Sequence, residues 1–276
     1  VLIASADPRA TATWLSVVAV LATAAMLGWM VLGVAERDEY QGRGEHDPFK
    51  AFADVLRNPH ALLLLAVFLI ESVGGATITV LTAYVSEYIV RTPENTAYYI
   101  LLYMVPSAAT VPAWVWVSRR VGKKQLWIFS TVLTGLGFGA MMFLTEGAVA
   151  TISILAFLLG ACAGAGAVVA PSIQADVIDY DELVTGQRKE GAYFAAWNFV
   201  FKTATGITLM LTGLVLDAAG FAPNQEQTES AKLALKVLYA LFPLACYLIG
   251  ALILTRFRLD EAEHARIRDA LDAREG

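Results

Sequence analysis

The chain has 276 residues, of which 57% are apolar, and its mean hydropathy is +0.59. Soluble domains contain roughly 45–50% apolar residues, so this composition argues against a soluble fold. The formal net charge of −5 says little about partners, because in a membrane protein the distribution of charge matters more than its sum. We expect no nucleic-acid partner.

Apolar windows follow one another along the whole chain. A helix that spans a bilayer needs about 20 mostly apolar residues. The windows that meet this length are Thr13–Val34, Ala61–Val90, Ala97–Val117, Leu126–Leu144, Ala148–Pro171, Gly191–Leu216 and Leu233–Leu254. The sequence therefore predicts an all-α membrane protein with seven transmembrane helices in a lipid bilayer.

The chain begins at Val1 and enters its first apolar window without the basic, apolar and small-residue regions of a signal peptide. We expect a further N-terminal part to precede it. We predict no catalytic or ligand-binding role for the cysteines, Cys162 and Cys246, which lie inside spans. The same holds for the histidines, His46, His60 and His264, none of which lies in the middle of a span.

Lysine and arginine are concentrated on one side of the predicted membrane. That side carries the segments 37–57, 119–124, 188–189 and 256–274, whereas the other side carries only Arg9, Arg91, Lys232 and Lys236. The positive-inside rule then places the first side in the cytoplasm. We expect an integral protein of the cytoplasmic (inner) membrane, with the loop 36–59 and the C-terminus inside and the N-terminus outside.

Two polar segments on that side have helical patterns. Asp47–Leu56 (DPFKAFADVL) has a proline at a helix start and apolar residues at helical spacing, which predicts a short amphipathic helix on the membrane surface. Asp260–Ala273 has acidic residues early and arginine late, as the helix dipole favours. For this tail helix, a solvated face and a docked face both remain open.

Charged side chains inside the spans are few, and each is a candidate functional residue because burial of charge in a bilayer is costly. Glu71 and Lys202 lie mid-span, and Asp176, Asp179 and Asp181 lie near the cytoplasmic end of the fifth span. Lys202 lies about 16 Å from the predicted start of its span, at about 1.5 Å per residue. We expect it to face a polar interior, with Glu71 or a carboxylate outside this chain as partner.

Other polar and aromatic residues of the sixth span accompany Lys202. Asn198 is four residues before Lys202 and shares its helix face, while Tyr193 and Trp197 share another. Trp197 is placed to stack on a ring-shaped ligand, and ordinary packing or lipid contact is the alternative.

The segment Ala175–Gly191, ADVIDYDELVTGQRKEG, is followed by an apolar helix with a lysine in its middle. This order resembles the signature of the glycoside–pentoside–hexuronide:cation symporters, the melibiose permease-like family of the major facilitator superfamily. The matching signature residues are Asp176, Asp179, Tyr180, Glu182, Arg188 and Glu190. Lys202 matches the family's helix lysine, and SRRVGKK resembles the superfamily's basic loop, with Arg119, Arg120, Lys123 and Lys124.

The resemblance implies a domain organisation. Residues 1–35 would be the last helix of an N-terminal half, 36–59 a central cytoplasmic loop, 60–257 the C-terminal six-helix bundle and 258–276 a cytoplasmic tail helix. The spans would then be the last seven of a twelve-helix fold, and the absent N-terminal six-helix half would be a partner.

It also implies a function, which is symport of a sugar or glycoside by alternating access, with Na⁺ or H⁺ as co-transported ion, no cofactor, no bound metal and no enzymatic activity. The residues implied to line the substrate and cation cavity are Lys202, Asn198, Trp197, Tyr193 and Glu71. The signature residues would form a cytoplasmic gate whose charged pairs part in one state.

Alternative functions remain open at this stage. Sodium-dependent lysophosphatidylcholine symporters share much of the pattern, so a lysolipid cargo is one of them. A membrane-embedded transferase with Mg²⁺ at Asp176, Asp179 and Asp181 is another, because clustered carboxylates bind hard cations. A retinal protein with Lys202 as its lysine and a passive sensor on the transporter fold complete the set.

Overall fold

The computed structural model describes residues 7–33, 48–259 and 261–275. These residues form helices joined by turns, and no strand occurs among them. The chain divides into two compact units, Val1–Arg43 and Gly44–Gly276. The predicted boundary near residue 35 and residue Asp47 of the predicted surface helix lie outside the described residues.

The described residues of the first unit, 7–33, contain one helix, α1 (Pro8–Gly33). Asp7 precedes it, and its carboxylate accepts the backbone N–H groups of Arg9 at 3.0 Å and Ala10 at 3.1 Å. Such a cap satisfies donors that have no partner inside the helix, which explains why α1 begins before the predicted Thr13.

The second unit contains the remaining helices. They are α2 (Pro48–Arg57), α3 (Pro59–Val85), α4 (Thr96–Ala109), α5 (Val111–Val121), α6 (Lys123–Ala140), α7 (Val149–Thr185), α8 (Glu190–Ala218), α9 (Glu229–Lys236), α10 (Phe242–Leu254) and α11 (Glu261–Glu275). The π-helical turns Ser86–Val90 and Val237–Leu241 extend α3 and join α9 to α10, and short 3₁₀ turns precede α4 and follow α6.

Among the described residues, six helices are long and apolar enough to cross a membrane, and seven if a bent pair forms one span. The bent pair comprises Pro93–Ala109 and Val111–Val121, which meet at 49°. The sequence predicted one helix over Ala97–Val117. Pro112 explains the break, because a proline removes a backbone donor and its ring clashes with the carbonyl four residues earlier.

Helix α7 differs most from its predicted bounds, because it continues past Pro171 to Thr185. Ile173, Val177 and Ile178 beyond the proline are buried in the core, and this packing stabilises the added turns. Gly186 ends the helix with φ of 70° and donates its N–H to the carbonyl of Glu182 at 2.8 Å. The signature acids therefore stand on a helix rather than in a loop.

Small residues bring α4 and α7 together. A Cβ atom on Gly160 would meet the backbone of Tyr103, and one on Gly164 would lie 2.7 Å from the carbonyl oxygen of Ser107. Neither position leaves room for a side chain, so the two helices pack with their backbones in close approach.

Two hydrophobic clusters form the core of the second unit. One contains Leu64, Trp127, Val169 and Ile173, near the end of the bundle that carries the signature residues 176–190. We call this the signature end. The other contains Leu81, Phe138 and Ile152 at the opposite end.

The amphipathic helix α2 and the tail helix α11 both pack on the bundle at the signature end. Val55 of α2 is fully buried, and Ile267 of α11 is buried in the same cluster. The predicted apolar face of α2 therefore packs on protein rather than on a membrane surface, because α3 and α8 offer it an apolar contact. For α11, the docked alternative is the one observed.

Candidate functional site

The signature acids of α7 each have a different set of basic partners. The two carboxylate oxygens of Asp176 accept hydrogen bonds from Nζ of Lys123 at 2.8 and 2.6 Å. Gly122, with φ of 86°, is the one residue between α5 and α6, and this tight turn places Lys123 at the start of α6 beside α7. The predicted basic loop and the predicted signature thus meet in space.

The other basic residues of the 119–124 segment have separate contacts. Nζ of Lys124 donates to the backbone carbonyls of Thr255 at 2.9 Å and Phe257 at 2.6 Å, which fixes the end of α10. The guanidinium of Arg120 lies 3.8 Å from the ring centre of Trp116. Arg119 is exposed.

Arg188 joins three acidic residues of the signature. Its NH1 lies 2.7 Å from Glu182 and 3.4 Å from Asp179, and its Nε donates to Glu190 at 2.7 Å. Partial burial alone would lower the pKa of Arg188, but the hydrogen bonds that it donates to Glu190 and Glu182 outweigh this effect and raise the pKa above its ordinary value. Arg188 is therefore a permanent positive charge between α7 and α8.

The tail helix α11 adds residues to this network that the sequence did not single out. His264 Nε2 lies 3.0 Å from Asp179 and 3.5 Å from Asp176, and Arg268 lies 3.7 Å from Asp179. Glu261 accepts the backbone N–H of Lys123 at 2.6 Å at the start of α6. The sequence pattern could have indicated this contact, because Glu261, His264 and Arg268 are three and four residues apart and therefore share one face of a helix.

Lys189 forms a second, more deeply buried cluster. Its side chain is 1% exposed, and Nζ lies 2.9 Å from Asp54 of α2 and 3.6 Å from Asp181 of α7. Asn58 donates to the hydroxyl of Tyr193 at 2.8 Å beside it. Tyr180 of the signature packs edge-on against His60, with ring centres 4.8 Å apart.

The predicted cavity residues of α8 lie on different faces. Lys202 and Asn198 are exposed, and within the described ranges Lys202 has no ion-pair partner. Tyr193 is buried in the core, and Trp197 stacks on Phe68 with ring centres 4.4 Å apart. The structure therefore brings Lys202 and Asn198 together, but not with Tyr193.

Glu71 of α3 also lies apart from Lys202 in its contacts. Its carboxylate accepts hydrogen bonds from Trp127 Nε1 at 3.2 Å and from the Thr131 hydroxyl at 3.0 Å, both on α6. Glu71 thus faces the interior of the helix bundle. The proposed pairing of Glu71 with Lys202 does not occur among the described contacts, because the two residues face different neighbours.

No group of three or more metal-binding side chains occurs within residues 7–33, 48–259 and 261–275. The three aspartates of the predicted Mg²⁺ alternative each lie beside a different basic residue. Asp176 pairs with Lys123, Asp179 with Arg188 and Asp181 with Lys189. Each of these carboxylates lies 3.6 Å or less from a lysine or arginine nitrogen.

The fold and this network define a helical integral membrane protein with a charged cluster at one end of its bundle. Residues 1–261 match the model of the family described as MFS/sugar transport protein, and the chain belongs to that family. It is a family of transporters, so the readings as a transferase or a retinal protein are wrong. The predicted fold class is confirmed.

Several curated relatives are similar to this chain. A putative sulfoquinovose importer of Salmonella typhimurium is 26% identical over 89% of this chain and 52% of its own length. The isoprimeverose transporter of Lactiplantibacillus pentosus is 25% identical over 93% of this chain and 54% of its own. The sodium-dependent lysophosphatidylcholine symporter 1-A of Danio rerio is 26% identical over 84% of this chain and 44% of its own length. The chain spans about half the length of these relatives.

Proposed function

We propose that the chain is the C-terminal half of a cation-coupled symporter that carries a sugar or glycoside across the cytoplasmic membrane by alternating access. Two of the relatives are named for sugar cargoes, sulfoquinovose and isoprimeverose. The preceding half would supply the other wall of the central cavity, and Na⁺ or H⁺ would be the coupling ion.

The observation that carries this proposal is the separation of two charged regions along α8. At its start, Arg188 is paired with acids of α7; about one half-span deeper, Lys202 and Asn198 are exposed. A lysine in mid-membrane requires a polar environment. The preceding half would cover this face and offer Lys202 a carboxylate or a cargo hydroxyl.

The signature end is proposed to be cytoplasmic, together with α2 and α11. Its ion pairs would then close or open the path to the cytoplasm, because a charge pair that forms in one state only favours that state. Asp179 is central to this gate, since it contacts Arg188, His264 and Arg268.

A second candidate function is symport of a lysolipid, and one structural observation supports it. An apolar cavity of about 440 Å³ lies between α3, α4, α6 and α7, lined by residues that include Ile78, Tyr103, Met104 and Leu159. Such a cavity suits an acyl chain better than a sugar.

The test uses the complete protein that carries this chain, reconstituted in vesicles. Uptake of labelled sulfoquinovose, pentosides, hexuronates and lysophosphatidylcholine is measured with a sodium gradient, a proton gradient or none. We expect gradient-driven accumulation of a sugar, its loss in Lys202→Ala, and its retention in the control Lys232→Ala, whose lysine pairs with the exposed Glu229. Accumulation of the lysolipid alone would favour the second candidate, and no accumulation of any cargo would contradict both.

The gate is tested separately by Asp179→Asn and Arg188→Gln. Asp179→Asn removes the charge at almost unchanged size, and Arg188→Gln replaces the guanidinium by a shorter, neutral amide, so we expect altered uptake rates with retained cargo binding. Unchanged rates in both variants would contradict the gate.

A further inference from the structure

The carboxyl group of Glu71 lies in the middle of a membrane-spanning helix and has no charged partner. Helix α3 runs from Pro59 to Val85, so Glu71 lies about 18 Å from its start at about 1.5 Å per residue. Its hydrogen-bond partners are Trp127 and Thr131, and within the described ranges it forms no ion pair. An ionised carboxylate at this depth would be left without compensation.

The chemistry of its two partners fits a neutral carboxyl group. The Trp127 indole N–H is a donor only, and it points to one oxygen at 3.2 Å, as a carbonyl oxygen requires. The Thr131 hydroxyl, 3.0 Å from the other oxygen, both donates and accepts. In the neutral acid, the Glu71 O–H would donate to the Thr131 hydroxyl, which reverses the direction that this hydrogen bond has with an ionised carboxylate, and both oxygens would still have a partner.

Close packing of α10 encloses the same site. A Cβ atom on Gly250 would lie 2.9 Å from Cγ of Glu71, and one on Gly75 would lie 2.9 Å from the hydroxyl of Tyr247. The titratable side chains of α10 on this side are Tyr247 and Cys246, which lie against Gly75 and Gly74 of α3, and Lys202 of the neighbouring α8 is exposed. Neither α6 nor α10 supplies a basic residue here.

We propose that Glu71 is a proton-binding site inside the C-terminal bundle, separate from the exposed face of α8, and that it holds its proton while α3, α6 and α10 are packed as described. A sodium ion fits the site poorly, because Trp127 offers no oxygen ligand and Thr131 offers one. This inference goes beyond the proposed function and holds for either cargo, because it depends on contacts within this bundle alone.

The site has a consequence for movement within the bundle. If α3 tilts away from α6, the hydrogen bonds from Trp127 and Thr131 break and water reaches the carboxyl group. The group then releases its proton, since only the packed state lacks solvent to stabilise the anion. Proton release would accompany any conformational step that opens this contact.

Infrared difference spectroscopy of the reconstituted full chain tests the proposal directly. Wild type is compared with Glu71→Gln in the carbonyl-stretch region of protonated carboxylic acids, at neutral pH without added sodium. We expect a protonated-acid band in wild type that is absent from Glu71→Gln and unchanged in Glu94→Gln, whose glutamate is exposed. Absence of this band from wild type would overturn the proposal.

Two further variants keep Glu71 in place, so the test does not depend on the folding of Glu71→Gln. Thr131→Val and Trp127→Phe each remove one hydrogen bond, so each should shift the frequency of the band without abolishing it. A band whose frequency changes in neither variant would belong to another carboxyl group, and this result would overturn the assignment. Loss of the band on addition of sodium chloride, with potassium chloride as control, would identify a sodium site and also overturn it.

Discussion

The two ends of the second unit both carry ion pairs, but the pairs differ in burial. At the signature end, the side chains of Asp176, Asp179 and Lys189 are 10%, 11% and 1% exposed. At the opposite end, Arg91 is 43% exposed and its partners Glu146 and Glu226 are 66% and 76% exposed. Distances are similar, since Arg91 lies 2.7 Å from Glu226 and Lys123 lies 2.6 Å from Asp176.

Burial, not distance, decides what these pairs contribute. Exposed pairs are screened by water and salt, and their net contribution is small. Buried pairs contribute little when intact, but removal of one partner strands a charge in a medium that solvates it poorly. The buried pairs of the signature end are therefore sensitive to the loss of one partner, whereas the exposed pairs of the opposite end tolerate change.

The largest effect is expected from Lys189→Met. This change leaves Asp181 without its cation and Asp54 with only the exposed Arg57 at 3.7 Å, and it should lower the free energy of unfolding by about 3–5 kcal/mol, as for other broken buried pairs. Thermal unfolding in detergent micelles measures this. Lys232→Met removes a pair whose carboxylate, on Glu229, is 90% exposed, and it serves as control, with no expected change in Tm. Equal Tm changes in both variants would refute the role given to burial.

Ile267→Ala should have the next largest effect. Ile267 is 3% exposed and anchors α11 in the core, and loss of a buried isoleucine typically destabilises by about 2–5 kcal/mol. The lost free energy should mainly weaken the packing of α11 on the bundle. Amide exchange in residues 261–275 should therefore accelerate more than amide exchange in α7. Arg266→Ala, at a position 79% exposed, should leave exchange unchanged.

Lys123→Ala is expected to have a smaller effect. Asp176 loses two hydrogen bonds but keeps His264 at 3.5 Å, so we expect a destabilisation of about 1–3 kcal/mol. A double-mutant cycle with Asp176→Asn should show that the two changes together destabilise less than their sum. Strict additivity would mean that the pair has no direct coupling.

Arg91→Ala is expected to have the smallest effect. Its partners are exposed, and the hydrogen bond from Arg91 to Glu226 raises the pKa of Arg91 without burying either group. Tm should not change at high salt, and only a small decrease should appear at low salt. A decrease in Tm as large as that caused by Lys189→Met would show that the opposite end does not tolerate the loss of an ion pair.

Sequence patterns alone predicted most of the fold. Hydrophobic length located the spans, and Asp47–Leu56 and Asp260–Ala273 predicted the short helices that became α2 and α11. The misses occurred at prolines. Pro112 bends a predicted span, whereas Pro171 lies within a helix that continues, and only packing of Ile173 and Val177 distinguishes the two outcomes.

The candidate site was predicted in part. The order of acids and bases located the residues that meet at the signature end, but not their pairing, nor the part played by His264 and Asp54. Those residues lie 85 and 135 positions from their partners Asp179 and Lys189. Local spacing carries no information about contacts over such separations.

By itself the sequence determined that this chain is a membrane protein, where its helices run and which residues are charged, because hydrophobic length and helical period are local properties. Only the tertiary structure decided which charges are buried and with whom. It turned Tyr193 toward the core, where its hydroxyl meets Asn58, which follows α2, and left Lys202 exposed on α8. It also enclosed Glu71 between α6 and α10, where desolvation rather than residue type sets its chemistry.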